Sequence, residues 1–186
     1  MSVSCVRQSI PCALFVVVLI ASAGFLVATI GEFPDRIATH FDWAGHPNAW
    51  MTREGYLTWM LAFGVAFPAV VTALVGLLPR AWPGLAFVNL PNRDHWFAPE
   101  RRAESLAFLG RHACWLGCLM VLTAMGVHAL VLRAHDAVPP TLPLVPFVAL
   151  LIGFTLAVGG WIFVLYRRFH PKPGSRQAAA TSTRQS

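Results

Sequence analysis

Charge is what this sequence has least of. Only 12% of its 186 residues are charged while 56% are hydrophobic, whereas a soluble domain carries roughly a quarter charged residues. That balance excludes an ordinary soluble protein and puts the chain in a membrane. Acidic residues are scarcer than basic ones, eight against 14, giving a net charge of +6 and a pI near 9.9. A basic balance can signal nucleic acid. Here the basic residues sit in short connectors and the tail rather than on an amphipathic surface, so no nucleic-acid partner is expected. Cysteine is sparse too. Cys5, Cys12, Cys114 and Cys118 lie in or near apolar segments without paired Cys-x-x-Cys zinc spacing, which reads as reduced, structural thiols. The sequence also lacks His-Glu-x-x-His, Gly-x-Ser-x-Gly and a Walker-type phosphate loop. No catalytic residue is assigned, and an enzyme is not expected.

What the sequence has instead is four long apolar runs, with predicted spans at about 12–30, 57–78, 112–132 and 142–166. Each is close to the ~20 residues that cross a hydrocarbon core of roughly 30 Å. The first is preceded by Arg7, and Ala21-Ser22-Ala23 imitates a signal-peptidase site. The apolar run continues through Phe25, Leu26 and Val27, however, so a retained helix is expected rather than a cleaved leader. In the second span Ala62, Ala66, Ala69, Ala73 and Gly76 recur at spacings of four and three, predicting one small-residue face for close helix contact. Pro68 beside it predicts a bend. In the third, Cys114, Cys118, Val121, Met125 and His128 fall on one stripe. It has the look of a soft-metal track, but ligands spread over several turns cannot share one ion, and packing is the expected role. In the fourth, Gly153, Gly159 and Gly160 predict close contacts. Residues 1–166 read as one transmembrane domain, and 167–186 as a basic, disordered tail.

Between the first two spans, residues 31–56 form a loop of another character. Asp35, Arg36, His40, Asp42 and His46 can carry charge or bind ligands, while Phe33, Phe41, Trp43 and Trp50 are too apolar for a freely solvated linker. Such a loop should be ordered, with Gly45, Pro47 and Asn48 setting its bends. The run Phe33-Pro34-Asp35-Arg36-Ile37-Ala38-Thr39-His40-Phe41-Asp42, followed by Gly45-His46-Pro47-Asn48-Ala49-Trp50, resembles the signature of a bacterial family called domain of unknown function 1648. That domain also forms the N-terminal part of SdpI-type immunity proteins. Ala38 replaces the family's usual Pro, and Asn48 its usual Asp. A second stretch, with Asn89, Pro91, Asn92, Arg93, Asp94, Trp96, Pro99, Glu100 and Arg101, is similar to a segment found in a subset of those proteins. Pro99 suits the first position of a helix and Glu100 its positive end, so a short interfacial helix is predicted from Pro99 to Gly110, leading into the third span.

The fold expected is all-α, an integral membrane bundle of four transmembrane helices with an ordered outer loop. Eleven basic residues (Arg7, Arg80, Arg93, Arg101, Arg102, Arg111, Arg167, Arg168, Lys172, Arg176, Arg184) fall on one side, against three (Arg36, Arg53, Arg133) on the other. The positive-inside rule then makes both termini cytoplasmic and the signature loop external, in a bacterial inner membrane. Four histidines, His40, His46, His128 and His135, come at or near that outer face. Two roles are open to His40. It can anchor the loop, with Thr39, by hydrogen bonds to carbonyls while Phe41 packs into the bundle. Alternatively it can join His128 and Asp35 or Asp42 around a Zn²⁺ ion, and the anchor is the expected role. No cofactor is otherwise implied. The resemblance implies a non-enzymatic sensing or immunity role with the lipid bilayer and a membrane-active peptide or protein as partners. The alternatives are a small transporter or accessory subunit, and a metal-binding membrane protein or metal-dependent enzyme using the outer histidines.

Overall fold

The computed structural model describes residues 3–81 and 93–170, with side chains from Ser9 in the first part and from His95 in the second. Asn89, Pro91, Asn92 and the tail from 171 onward lie outside the described residues, as do the side chains of Arg93 and Asp94. Helix α1 (Val3–Thr29) continues through a 3-10 turn, Ile30–Glu32, and strands β1 (Arg36–Phe41) and β2 (Pro47–Thr52) come next. Helix α2 (Arg53–Met60), a π-helical turn (Leu61–Ala66) and α3 (Phe67–Ala81) form one continuous span. A short α4 (Arg93–Trp96) precedes α5 (Pro99–Ala134) and α6 (Leu144–Phe169). Among the described residues, four helical stretches are long and apolar enough to cross a membrane: Ser9–Glu32, Arg53–Ala81, Pro99–Ala134 and Leu144–Phe169. The chain is an all-α, multi-pass membrane protein.

Helix α5 is the axis of the bundle, and α1, α3 and α6 each pack against it. Its buried stripe includes Cys114, Cys118, Val121, Met125 and His128, the predicted packing face. The predicted interfacial helix and third span are one unbroken helix of 36 residues, about 54 Å long at 1.5 Å per residue, so its first turns extend beyond a ~30 Å core. Pro99 stands at its start with Glu100 in the first turn, where a carboxylate meets the positive helix end.

The small-residue face predicted on the second span is met only in part: Gly76 is buried and Ala69 half-buried against the core. Ala62, Ala66 and Ala73 are exposed; the buried positions are Gly64, Pro68, Thr72 and Gly76, spaced by four. Gly76 meets Gly110 and Ala113 of α5, and a Cβ built on Gly117 would run into the Thr72 hydroxyl and lie 2.5 Å from the Phe15 ring. Glycines on α5, not alanines on α3, therefore let α1, α3 and α5 approach. Pro68 does disturb its helix. Lacking an N–H, it cannot bond the carbonyl four residues back, and the preceding turn widens into the π-helical stretch.

Helix α6 is peripheral, with only Phe169 buried along its length. Nothing lies within 4 Å of a Cβ placed on Gly153, Gly159 or Gly160, so the close contacts expected of them do not form. The helix is joined to α5 by a reciprocal pair. His112 Nε2 donates to the Trp161 carbonyl at 2.9 Å, Trp161 Nε1 donates to the His112 carbonyl at 2.8 Å, and the two rings stack 4.5 Å apart. At the end of α6, Trp96 donates to the Phe169 carbonyl at 2.9 Å and the Arg168 guanidinium lies 4.6 Å over the Trp96 ring.

The signature loop is a β-hairpin. Alternating exposure along β2 gives one face to the bundle, and β1 buries Ile37 and Ala38 completely. Its turn is not at Pro47-Asn48, which begin β2, but at Asp42–His46. There the Asp42 carboxylate accepts the N–H groups of Ala44 at 2.9 Å and His46 at 2.8 Å, and Gly45 adopts a φ of 83°. The Gly45 carbonyl accepts the N–H of Leu142 at 2.9 Å, docking the hairpin tip on the α5–α6 connection. Thr52 caps α2 by accepting the Gly55 N–H at 3.1 Å.

Candidate functional site at the hairpin end

The hairpin end holds two histidines whose ring nitrogens are all engaged. His128, wholly buried on α5, lies between α1 and α2. Thr29 has one hydroxyl proton, and it goes to the Phe25 carbonyl at 2.7 Å, because a carbonyl can only accept. His128 Nε2 must then be the donor to Thr29 Oγ1 at 2.8 Å, and its Nδ1 accepts the Tyr56 hydroxyl at 3.0 Å. One neutral tautomer satisfies all four groups. His135, just past the end of α5, takes the opposite tautomer. Its Nδ1 donates to the Val131 carbonyl at 2.8 Å, while Nε2 accepts the Ala38 N–H of β1 at 3.1 Å. Phe33 is wedged between them, its ring 5.6 Å from His128, 5.3 Å from His135 and 5.4 Å from Tyr56. Arg53 fixes the approach to this wedge, donating to the Phe33 carbonyl at 2.6 Å and to Asp35 Oδ1 at 3.1 Å.

The histidine anchors are thus His128 and His135, not His40. His40 is exposed on β1, and Thr39 Oγ1 reaches Ala49 across the hairpin at 3.5 Å. Phe41 does pack inward, against the cluster of Leu130, Ala134 and Leu142. Nor does the structure assemble the Zn²⁺ site. Among the described residues no group of three His, Cys, Asp or Glu is placed to hold a metal ion, and both nitrogens of His128 and of His135 already have partners. His46 stays at the turn, 3.7 Å from Asp42. Arg36 and Trp50 face outward on the strands. In the second connector, Trp96 serves the end of α6, Arg101 donates to His95 Nδ1 at 3.2 Å, and Pro99 and Glu100 start α5, so these described residues form no site with the hairpin.

Thr29, Arg53 and Tyr56 carry this end of the bundle, and sequence reasoning does not single them out as site residues. A signal for two of them is present: Thr29 closes an apolar run and Tyr56 opens one, and polar groups at such depth need partners. Which partners they find depends on α5, far away in the chain.

Beside the anchored core a groove of about 750 Å³ separates the hairpin from α5 and α6. Thr39, His40, Asp42 and Asn48 form its polar wall, and Val127, Val131, Leu142, Phe147 and Val148 its apolar one. Trp43 stands at its lip, 99% exposed. The His46 N–H, first among the turn's donors, holds the Asp42 carboxyl below its ordinary value, so this wall carries a negative charge at neutral pH. A groove of this kind can take an amphipathic ligand, with one side for charge or hydrogen bonds and the other for hydrocarbon.

No curated protein and no solved structure matches the chain. Residues 17–64, from within α1 through the hairpin to the π-helical turn, match the family described as Domain of unknown function (DUF1648), the stretch that holds the signature loop.

Proposed function

We propose that this protein is a non-enzymatic receptor of the bacterial inner membrane that binds a membrane-active, amphipathic peptide in the hairpin groove, in a sensing or immunity role like that of SdpI-type proteins. The observation that carries this reading is the groove itself: a charged and hydrogen-bonding wall facing an apolar one, at the end of a membrane bundle, with Trp43 free at its lip. An amphipathic helix or strand offers the complementary two faces. Its orientation follows from charge. Among the described residues Arg36, Arg53 and Arg133 are the basic residues at the hairpin end, and Arg80, Arg93, Arg101, Arg102, Arg111, Arg167 and Arg168 belong to the segments toward the opposite end, so the positive-inside rule turns the groove outward. That is the side from which an external peptide arrives.

The test is protection. Cells lacking the protein are challenged with a panel of cationic, membrane-active peptides, with and without the protein restored. Restoration should raise the killing concentration of at least one peptide severalfold. Val148→Trp, which fills the groove from a half-exposed position on α6, should abolish that gain while the protein still inserts. Protection undiminished by Val148→Trp would remove the groove from the function, and no protection against any peptide would remove the immunity role.

A further inference from the structure

A second cavity, of about 380 Å³, lies at the end of the bundle opposite the hairpin, enclosed by α1, α3 and α5. Two of the residues lining it are arginines, Arg80 and Arg111, and none is acidic. Two carbonyls, not a carboxylate, position Arg80: its guanidinium donates to Gly76, one turn back on its own helix, and to Leu106 of α5 at 3.1 Å. Those bonds leave N–H groups of the fork uncommitted. Gly110 makes room for it, since a Cβ there would meet Nη2 at 2.9 Å. Among the described residues no acidic side chain pairs with either arginine. Deeper along α3, Thr72 lines the same cavity. It is 8% exposed, and its hydroxyl is buried without a hydrogen-bond partner. Around this one cavity stand a buried hydroxyl without a partner and two guanidinium groups without a counter-ion, and all three can donate to the same kind of ligand.

We infer that this cavity binds a phosphate-bearing ligand of net negative charge, with the phosphate held by Arg80 and Arg111 and the remainder of the ligand directed past Ala73 toward Thr72 and Phe15. Arginine forks match phosphate oxygens in pairs of parallel bonds. The depth of Arg111 suits a headgroup. It lies 12 residues into a 36-residue helix, about 18 Å from its start, where α5 passes from the interface into hydrocarbon. Both a free phosphate and the headgroup of an anionic phospholipid carry the required chemistry. The apolar walls provided by Phe15, Ala69, Ala73 and Leu77 favour the lipid. This site is separate from the hairpin groove and does not depend on the peptide reading.

The full-length protein, purified in detergent and stripped of lipid, is heated with added phosphatidylglycerol, with phosphatidylcholine, or with inorganic phosphate. Phosphatidylglycerol at about a hundredfold excess over its Kd should raise Tm by about 5–10 °C. A matching rise with inorganic phosphate would identify a free anion as sufficient, and a rise with phosphatidylglycerol alone a lipid. Arg80 supports two carbonyls, so its loss could unfold the region; the diagnostic variants are Arg111→Gln, which removes one fork, and Ala73→Leu, which fills the cavity without changing charge. Each should abolish the increment. An equal rise with phosphatidylcholine, no rise with either phosphate source, or a full increment in both variants would overturn the site.

Discussion

The ring of His128 shows how a titratable side chain becomes a structural one. Thr29 and Tyr56 take its two nitrogens, and Phe25 and Phe33 cover it at ring distances of 5.3 and 5.6 Å. Tyr56→Phe keeps the packing but leaves Nδ1 buried and unpaired. It should cost about 1–3 kcal/mol of stability, read as a lowered Tm in detergent. His128→Leu in the same background should restore part of that loss, because it removes the orphaned acceptor as well. A further fall in Tm would mean that the remaining bond from Nε2 to Thr29 outweighs it. Asp42 titrates, and its sign is fixed. Since the folded carboxyl lies below the ordinary 3.8, its contribution to the turn is complete above that pH and is lost as pH falls through the folded value. The NMR amide shift of Ala44 should therefore move as pH falls below about 3.8, and that movement should be lost in Asp42→Ala. The sequence showed that the loop needed an ordered turn, but not that the Asp42 carboxylate would supply it, because Pro47-Asn48 is a turn signal of equal local strength.

Among the helices, contact depends on which face the neighbours leave open. Gly117→Ala would drive a methyl group into Thr72 and Phe15 and should lower Tm by several degrees, the effect of overpacking by about 1–3 kcal/mol. Gly153→Ala meets nothing and should leave Tm unchanged or raise it, since alanine is the better helix former by about 1 kcal/mol. Equal responses would mean that α6 is as tightly packed as α5. Thr52→Ala removes the cap of α2 and should cost about 1 kcal/mol. The alanine stripe of the second span was legible as small residues at helical spacing. That its burial is offset onto Gly64, Pro68 and Thr72, with Gly76 alone of the predicted stripe fully buried, was not, because the π-helical turn adds a residue to the turn before Pro68 and rotates the rest of the helix about its axis.

For the molecule as a whole, the proposed orientation makes a direct demand. In a protein freed of native cysteines, a thiol introduced at Asn48 should react with an impermeant reagent in intact cells, and one at Arg102 only after permeabilisation. Labelling of Arg102 from outside would invert the topology and place the hairpin groove in the cytoplasm.

Apolar run length and scarce charge determined by themselves that the chain crosses a membrane with four helices, since a continuous apolar run of about 20 residues satisfies its own backbone groups in hydrocarbon by coiling into a helix. The aromatic and polar mixture of residues 31–56 likewise determined that the loop is ordered. Only the tertiary structure decided the rest. Pairing in a hairpin depends on register, and the Ala38 N–H finds its acceptor on His135, 97 residues away. The same holds for Thr29 and Tyr56, which meet His128 across 99 and 72 residues of chain. Local pattern fixes which side chains must be buried; which of them meet is set by helix packing, and that is a property of all four spans together.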